Sequence, residues 1–167
     1  IGKHALRSNT SGISNVAIGI NALNGDDTGS YAVAIGRNSL LVQNAGNNSG
    51  NVAVGYNTGA ALTTATGCTL MGYIAGDAIT TGGGNTAYGY GALTACTTGD
   101  SNTAMGFEAV EKCTTGIHNT GIGYRANFTA TTGSYNVSYG NFTNDAITTG
   151  NENVSLGYGA GSAITTG

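Results

Sequence analysis

Three cysteines, two histidines and eight acidic residues are the side chains of this 167-residue chain whose types suit nucleophilic, metal or acid–base chemistry. Cys96 and Cys113 stand 17 residues apart, at the place that Ile79, Ile147 and Ile164 occupy in neighbouring segments. They are therefore expected as stacked interior residues, free rather than bridged, because parallel side chains fit disulfide geometry poorly. Cys68 makes the count odd, against a disulfide framework. His4 and His118 fall at different places in the repeating pattern and form no ligand or catalytic set, so both are expected on the surface. Asp26 and Asp27 are unrepeated, as are Glu108 and Glu111, and neither pair is sufficient for glycoside cleavage, which needs carboxylates clustered on neighbouring rungs. No enzyme, cofactor or metal site is expected. Two ladders are better candidates. Tyr56, Tyr73, Tyr90, Phe107, Tyr124 and Tyr158 each follow a glycine at matching positions and predict an aromatic column, which would stack on sugar rings if exposed and merely pack if buried at a subunit contact. Paired threonines recur as Thr-Thr-Gly at 80–82, 97–99, 114–116, 131–133, 148–150 and 165–167.

What positions these ladders is a tandem repeat. The clearest copies are Asn15-Val-Ala-Ile-Gly19, Asn51-Val-Ala-Val-Gly55, Asn85-Thr-Ala-Tyr-Gly89, Asn102-Thr-Ala-Met-Gly106, Asn119-Thr-Gly-Ile-Gly123, Asn136-Val-Ser-Tyr-Gly140 and Asn153-Val-Ser-Leu-Gly157. The closing glycines fall at 2, 19, 36, 55, 72, 89, 106, 123, 140 and 157, ten copies 17 residues apart with one step of 19. The two extra residues lie near 46–51 and predict a longer surface turn, leaving 1–167 as one array without a linker. A start at Ile1 without methionine and an end on a completed repeat predict an excerpt of a longer fibrous chain.

Thirty glycines, no proline and 8% charged residues are far from an ordinary globular mixture, yet apolar residues recur in register, which predicts order. A net charge of −3 offers no basic field for nucleic acid, and no apolar run reaches the roughly 20 residues of a membrane helix. Each unit reads as strand, turn, short strand, turn. The second strand is clearest at Asp77-Ala-Ile-Thr-Thr81. A single unit cannot offset the roughly 1–2 kcal/mol of backbone entropy each residue loses on ordering. Units must stack, and an all-β parallel β-solenoid of ten 17-residue rungs follows. Identical residues then lie above one another, so scarce charge follows from repulsion between rungs. The motif Asn predicts an amide ladder that caps a turn. Sequons at Asn9, Asn47, Asn127, Asn136, Asn141 and Asn153 are by-products of the repeat. Within the main strand Val52, Val54, Thr103, Met105, Val154 and Leu156 share one face and Ala53 and Ala104 the other. That small-residue face is expected to be a contact between copies.

At its Asn-Val-Ala-Ile-Gly copies the chain resembles the head repeats of YadA-type trimeric autotransporter adhesins, matching Asn-Ser-Val-Ala-Ile-Gly at 15–19 and 33–36. The longer pattern at 85–99 looks like repeats of phage tail fibres and large bacterial surface proteins. The resemblance implies a left-handed parallel β-roll, a homotrimer, and an extracellular setting on a cell surface or virion. The resemblance names no ligand, and a cell-surface glycan or receptor is the partner expected besides other copies of the chain. The unit is longer than in the adhesin heads and ends in Thr-Thr-Gly. Three functions remain open at this point: a structural and adhesive fibre segment, an ice-binding solenoid, and a non-catalytic part of a polysaccharide-degrading tail spike. Adjacent threonines that point opposite ways count against the second.

Overall fold

The computed structural model describes residues 1–166, except for the side chain of Asn47. The sequon at Asn47 and the last glycine of the final Thr-Thr-Gly lie outside the described residues. Nine strands of three residues each follow one another: β1 Val16–Ile18, β2 Val33–Ile35, β3 Val52–Val54, β4 Thr69–Met71, β5 Thr86–Tyr88, β6 Thr103–Met105, β7 Thr120–Ile122, β8 Val137–Tyr139 and β9 Val154–Leu156. They form one parallel sheet in chain order, each paired only with its sequence neighbours. The register is residue for residue, Val16 opposite Val33 and Thr103 opposite Thr120. The fold is a β-solenoid. At about 4.8 Å per step, the eight steps from β1 to β9 span about 38 Å. Of the ten repeat copies the first contributes no strand, since only Ile1 precedes its glycine. Its backbone is nonetheless held, with Gly19 N–H donating to the Ile1 carbonyl at 2.7 Å. The 19-residue step forms a short 3-10 turn at Gly46–Asn48 while Val33 still pairs with Val52.

The expected second strand does not form among the described residues. Residues 73–78 are turn, and isolated backbone bonds join that side from rung to rung without a ladder, such as Ala95 N–H to the Glu111 carbonyl and Thr97 N–H to the Thr114 carbonyl, both at 2.9 Å. The reason is curvature. Seventeen residues must close a full circuit, and left-handed residues two and four places after each glycine turn the chain inward; Ile74 and Leu93 have φ of 52° and 55°. The turn they begin runs on through residue 78, so the first residues of the 77–81 segment are spent in it and too few remain for a strand.

The small-residue face is not available as a contact between copies. The small-residue face is the interior: Ala34, Ala53, Ala104 and Ser138 are fully buried. The bulky face looks outward, with Met105 42% and Tyr139 56% exposed. The narrow coil explains this. Leu23, Leu40, Leu62, Ile79, Leu93, Cys96, Val110, Cys113 and Ile147 fill the interior from the turn side, leaving room for only a methyl group from most strands. Where the strand supplies Leu70, the turn side supplies glycine. A Cβ on Gly59 would lie 2.9 Å from Leu70 Cδ1, and one on Gly76 3.1 Å from Leu70 Cδ2. Interior volume per rung is thus conserved by exchange across the coil.

Two further columns tie the rungs together. The buried motif asparagines each bridge to the following rung. Asn102 Nδ2 donates to the Gly116 carbonyl at 2.9 Å, and its Oδ1 accepts from Asn119 N–H at 2.9 Å. Asn15, Asn51, Asn85, Asn119 and Asn136 repeat the pattern. Asn153 Nδ2 donates to Asn136 Oδ1 at 2.9 Å. The column of closing glycines, Gly19, Gly55, Gly89, Gly106, Gly123, Gly140 and Gly157 among them, has φ from 110° to 143°. A Cβ on Gly106 would collide with the Gly123 carbonyl, so the corner admits no side chain.

Candidate interaction surface

The aromatic column forms as a continuous stack. Tyr56, Tyr73, Tyr90, Phe107 and Tyr124 lie ring over ring with centroids 5.0–5.3 Å apart and planes within 15° of parallel. Tyr158 is separated from them, because Asn141 takes the place in its rung and Phe142 meets both Tyr124 and Tyr158 edge-on. The Arg37 guanidinium lies 6.0 Å from the Tyr56 centroid at one end of the stack. Ring faces are therefore spent on one another, while edges and phenol hydroxyls meet solvent. A sugar ring has no free aromatic face to lie on within the stack.

A larger apolar surface lies on the outward face of the sheet. The first and third residues of all nine strands point there, and none of the eighteen is charged. Val16, Ile18, Met71, Tyr88, Met105, Val137 and Tyr139 are each more than one-third exposed. Sequence reasoning missed this surface because it expected the contact between copies on the opposite, small-residue face. A usable signal was present: four successive rungs carry Thr69, Thr86, Thr103 and Thr120 in that column, whereas the opposite column never holds a charge and only once a large side chain. The strip is about 38 Å long and covers on the order of several hundred Å², the scale at which exposed apolar patches on soluble proteins mark contacts.

The remaining candidates are dispersed. Cys68, Cys96 and Cys113 are buried and free. The Cys96 and Cys113 thiols turn to the Gly99 and Gly116 carbonyls at 3.5 and 3.4 Å. A hydrogen bond with Cys113, and burial, push the Cys96 thiol far above its usual range, and burial pushes Cys68 up. His118 is exposed and stacks on Tyr135 at 5.1 Å, while His4 is half-buried several rungs away. Glu108 is bound by Arg125, whose Nε and Nη2 both reach its Oε2 at 2.6 Å, and burial pushes Glu111 up. Arg125 also lies over Phe128 at 4.7 Å, with Lys112 4.9 Å from the same ring. No group of three or more His, Cys, Asp or Glu residues able to hold a metal ion occurs among the described residues.

Asp26 and Gln43 occupy the column that Leu62 and Ile79 fill later, and both are fully buried. Asp26 accepts from Gly29 N–H at 2.8 Å and from Gln43 Nε2 at 3.0 Å, and Gln43 Oε1 accepts from Asn51 Nδ2 at 2.9 Å. Burial raises the Asp26 carboxyl above its usual range against those two bonds. The threonine columns are likewise internally spent. Thr63, Thr80, Thr97, Thr114 and Thr131 each donate a hydroxyl to the next rung's threonine carbonyl at 2.9–3.1 Å. One rank of threonine hydroxyls stays free rather than two. Of the sequon asparagines, Asn127 and Asn136 are fully buried and closed to modification, whereas Asn141 is exposed.

Comparison with known proteins returned no matching family model, no matching curated protein and no matching solved structure.

Proposed function

We propose that this chain is a structural and adhesive segment of an extracellular fibre, of the kind found in phage tail fibres and bacterial surface adhesins, built from copies of the solenoid packed side by side as a homotrimer. The observation that carries the reading is the uncharged, apolar outward face of β1–β9. It runs the full length of the sheet and repeats every 4.8 Å or so. A partner that matches every rung needs the same axial repeat, and another copy of this chain has it. The turn sides would then face outward as a stiff display surface. A cell-surface glycan or receptor meeting that surface at the aromatic column would contact ring edges and hydroxyls in steps of about 5 Å, the spacing of the stack.

The mass in solution tests this, measured by sedimentation for the chain and for Met105→Asp combined with Ile122→Asp. The chain should sediment as a trimer and the double variant as a monomer. Thr98→Asp, on the exposed turn side, should leave the trimer intact. A monomeric parent chain at micromolar concentration refutes the reading.

A further inference from the structure

The interior residue four places after each closing glycine is apolar in the middle of the array, at Leu93 and Val110, and polar at Asn127 and Asn144. All four are fully buried with left-handed backbone, φ between 48° and 55°, which asparagine tolerates better than valine does. Asn144 is satisfied by serines. Its Nδ2 donates to Ser138 Oγ, on the strand of its own rung, at 2.8 Å, and its Oδ1 accepts from Ser155 Oγ, one strand further on, at 2.6 Å. One rung earlier, the residues that stand in those two places are Gly121 and Ser138. Gly121 has no hydroxyl, and Val110 Cγ2 lies 2.5 Å from where its Cβ would be. Asn127 accordingly has no protein partner for either side-chain atom, although Nδ2 and Oδ1 are both buried.

We propose that Asn127 binds one internal water molecule, which takes the part of the serine hydroxyl that Gly121 lacks. Water fits where an ion does not. Set against the edge of the amide, it accepts from the Nδ2 hydrogen nearer the carbonyl and donates to Oδ1 in one closed ring. A cation would satisfy Oδ1 alone and an anion Nδ2 alone, each bringing charge into the interior. A third bond is at hand. Ser138 Oγ accepts from Asn144, so its own proton is free to point towards the water. Room comes from Asn127 itself, which is smaller than the leucine that holds the same place at Leu93, whereas the space beside Gly121 is taken by Val110 Cγ2. Buried waters with two to four polar partners are ordinary components of protein interiors.

Magnetic relaxation dispersion of water nuclei counts long-lived internal waters, and a crystal structure at high resolution locates them. The chain should show an oxygen within about 2.7–3.2 Å of both Asn127 side-chain atoms. Asn127→Leu, which extends the leucine column, should lower the count by one. A second variant guards against misfolding of the first: Gly121→Ser with Val110→Ala supplies the hydroxyl and removes the nearest methyl, leaving the Ala126 carbonyl at 2.9 Å to shift slightly, and it too should lower the count by one. A well-ordered crystal with no oxygen at the Asn127 amide, or a count unchanged in both variants, overturns the proposal.

Discussion

Replacement of Leu70 by alanine should be among the most damaging single changes in the array. Among the described residues Leu70 is the only large side chain that a strand sends into the interior, and it is fully buried. Its methyl groups lie over Gly59 and Gly76, which have no side chains that could swing into the space left behind. Leu→Ala costs about 2–5 kcal/mol in protein cores, rising with the cavity that remains, so a site that cannot close belongs in the upper half, at about 4 kcal/mol. Gly76→Leu in the wild-type background should also destabilise, by about 1–3 kcal/mol, through overpacking. Its Cβ alone would approach Ile79 Cδ1 to 2.8 Å and Leu70 Cδ2 to 3.1 Å. Together the two changes should largely cancel. They rebuild the pairing of the Leu93 rung, where alanine on the strand faces leucine on the turn, with Ile79 standing where that rung has the smaller Cys96, and Gly76 at φ 56° already has the backbone of Leu93 at 55°. Denaturant midpoints for the four proteins, taken at equal chain concentration by circular dichroism, close the cycle. Additive losses in the double variant would refute conserved rung volume, as would a loss below about 1 kcal/mol for Leu70→Ala.

Asn102→Ala removes the acceptor for the buried Asn119 N–H and leaves the Gly116 carbonyl only the weak Cys113 thiol donor, and should cost about 1–3 kcal/mol for the orphaned N–H. A denaturant midpoint within error of wild type would count against the amide ladder as a fastener. The Asp26 carboxyl is raised above its unfolded value of 3.8, chiefly by burial, so its contribution to stability is most favourable below that value and is lost as pH rises through the folded value. Stability should therefore fall between pH 4 and pH 7 by more in the wild type than in Asp26→Asn, and melting curves with equal slopes in the two proteins would exclude it. Cys68, Cys96 and Cys113 are fully buried and should resist iodoacetamide until denaturant is added. Alkylation of the native chain, read by mass spectrometry, would show that the interior opens.

The period, the parallel register and the stacked interior of Ile79, Cys96, Cys113 and Ile147 were legible because each depends only on spacing. A residue that recurs every 17 positions must stand above its counterpart whatever the shape of the coil. Which side of the strand faces in was not legible from the strand. Alternation separates Ala104 from Thr103 and Met105 without saying which set is inside, and size misleads, since a core is usually built of the larger residues. The answer lay on the opposite wall. Leu93 and Cys96 already fill the coil, and Leu70 paired with Gly59 and Gly76 is the exchange that gives the inward side away. The missing second strand has a similar origin. Asp77-Ala-Ile-Thr-Thr81 alternates like a strand, but the left-handed backbone at Ile74 and Gly76 just before it is set by closure of the circuit, which local pattern does not register.

The inward columns and the outward columns consequently answer to different constraints. Inside, a change in one rung must be balanced within that rung or the next, as Val110 is by Gly121 and Leu70 by its two glycines. Outside, no such balance is visible. Met71, Tyr88, Met105 and Ile122 succeed one another on the sheet face with no compensating partner in this chain. Uniform polarity without uniform size is what a surface needs when it must stay apolar and is packed by a neighbour with the same variation at the same height. A parallel homotrimer supplies that neighbour automatically, because each rung then meets its own copies. An antiparallel pair would set Tyr88 against unrelated rungs. Oxidative cross-linking of a Met105→Cys variant separates the two arrangements. Parallel packing brings the introduced thiols of neighbouring copies together at one height, so a covalent dimer should appear on a non-reducing gel. The same substitution at Met71, two rungs away, should then cross-link equally well, whereas an antiparallel pair can bring at most one of these two heights into register with itself. Cross-linking at one position and not at the other would therefore refute the parallel arrangement.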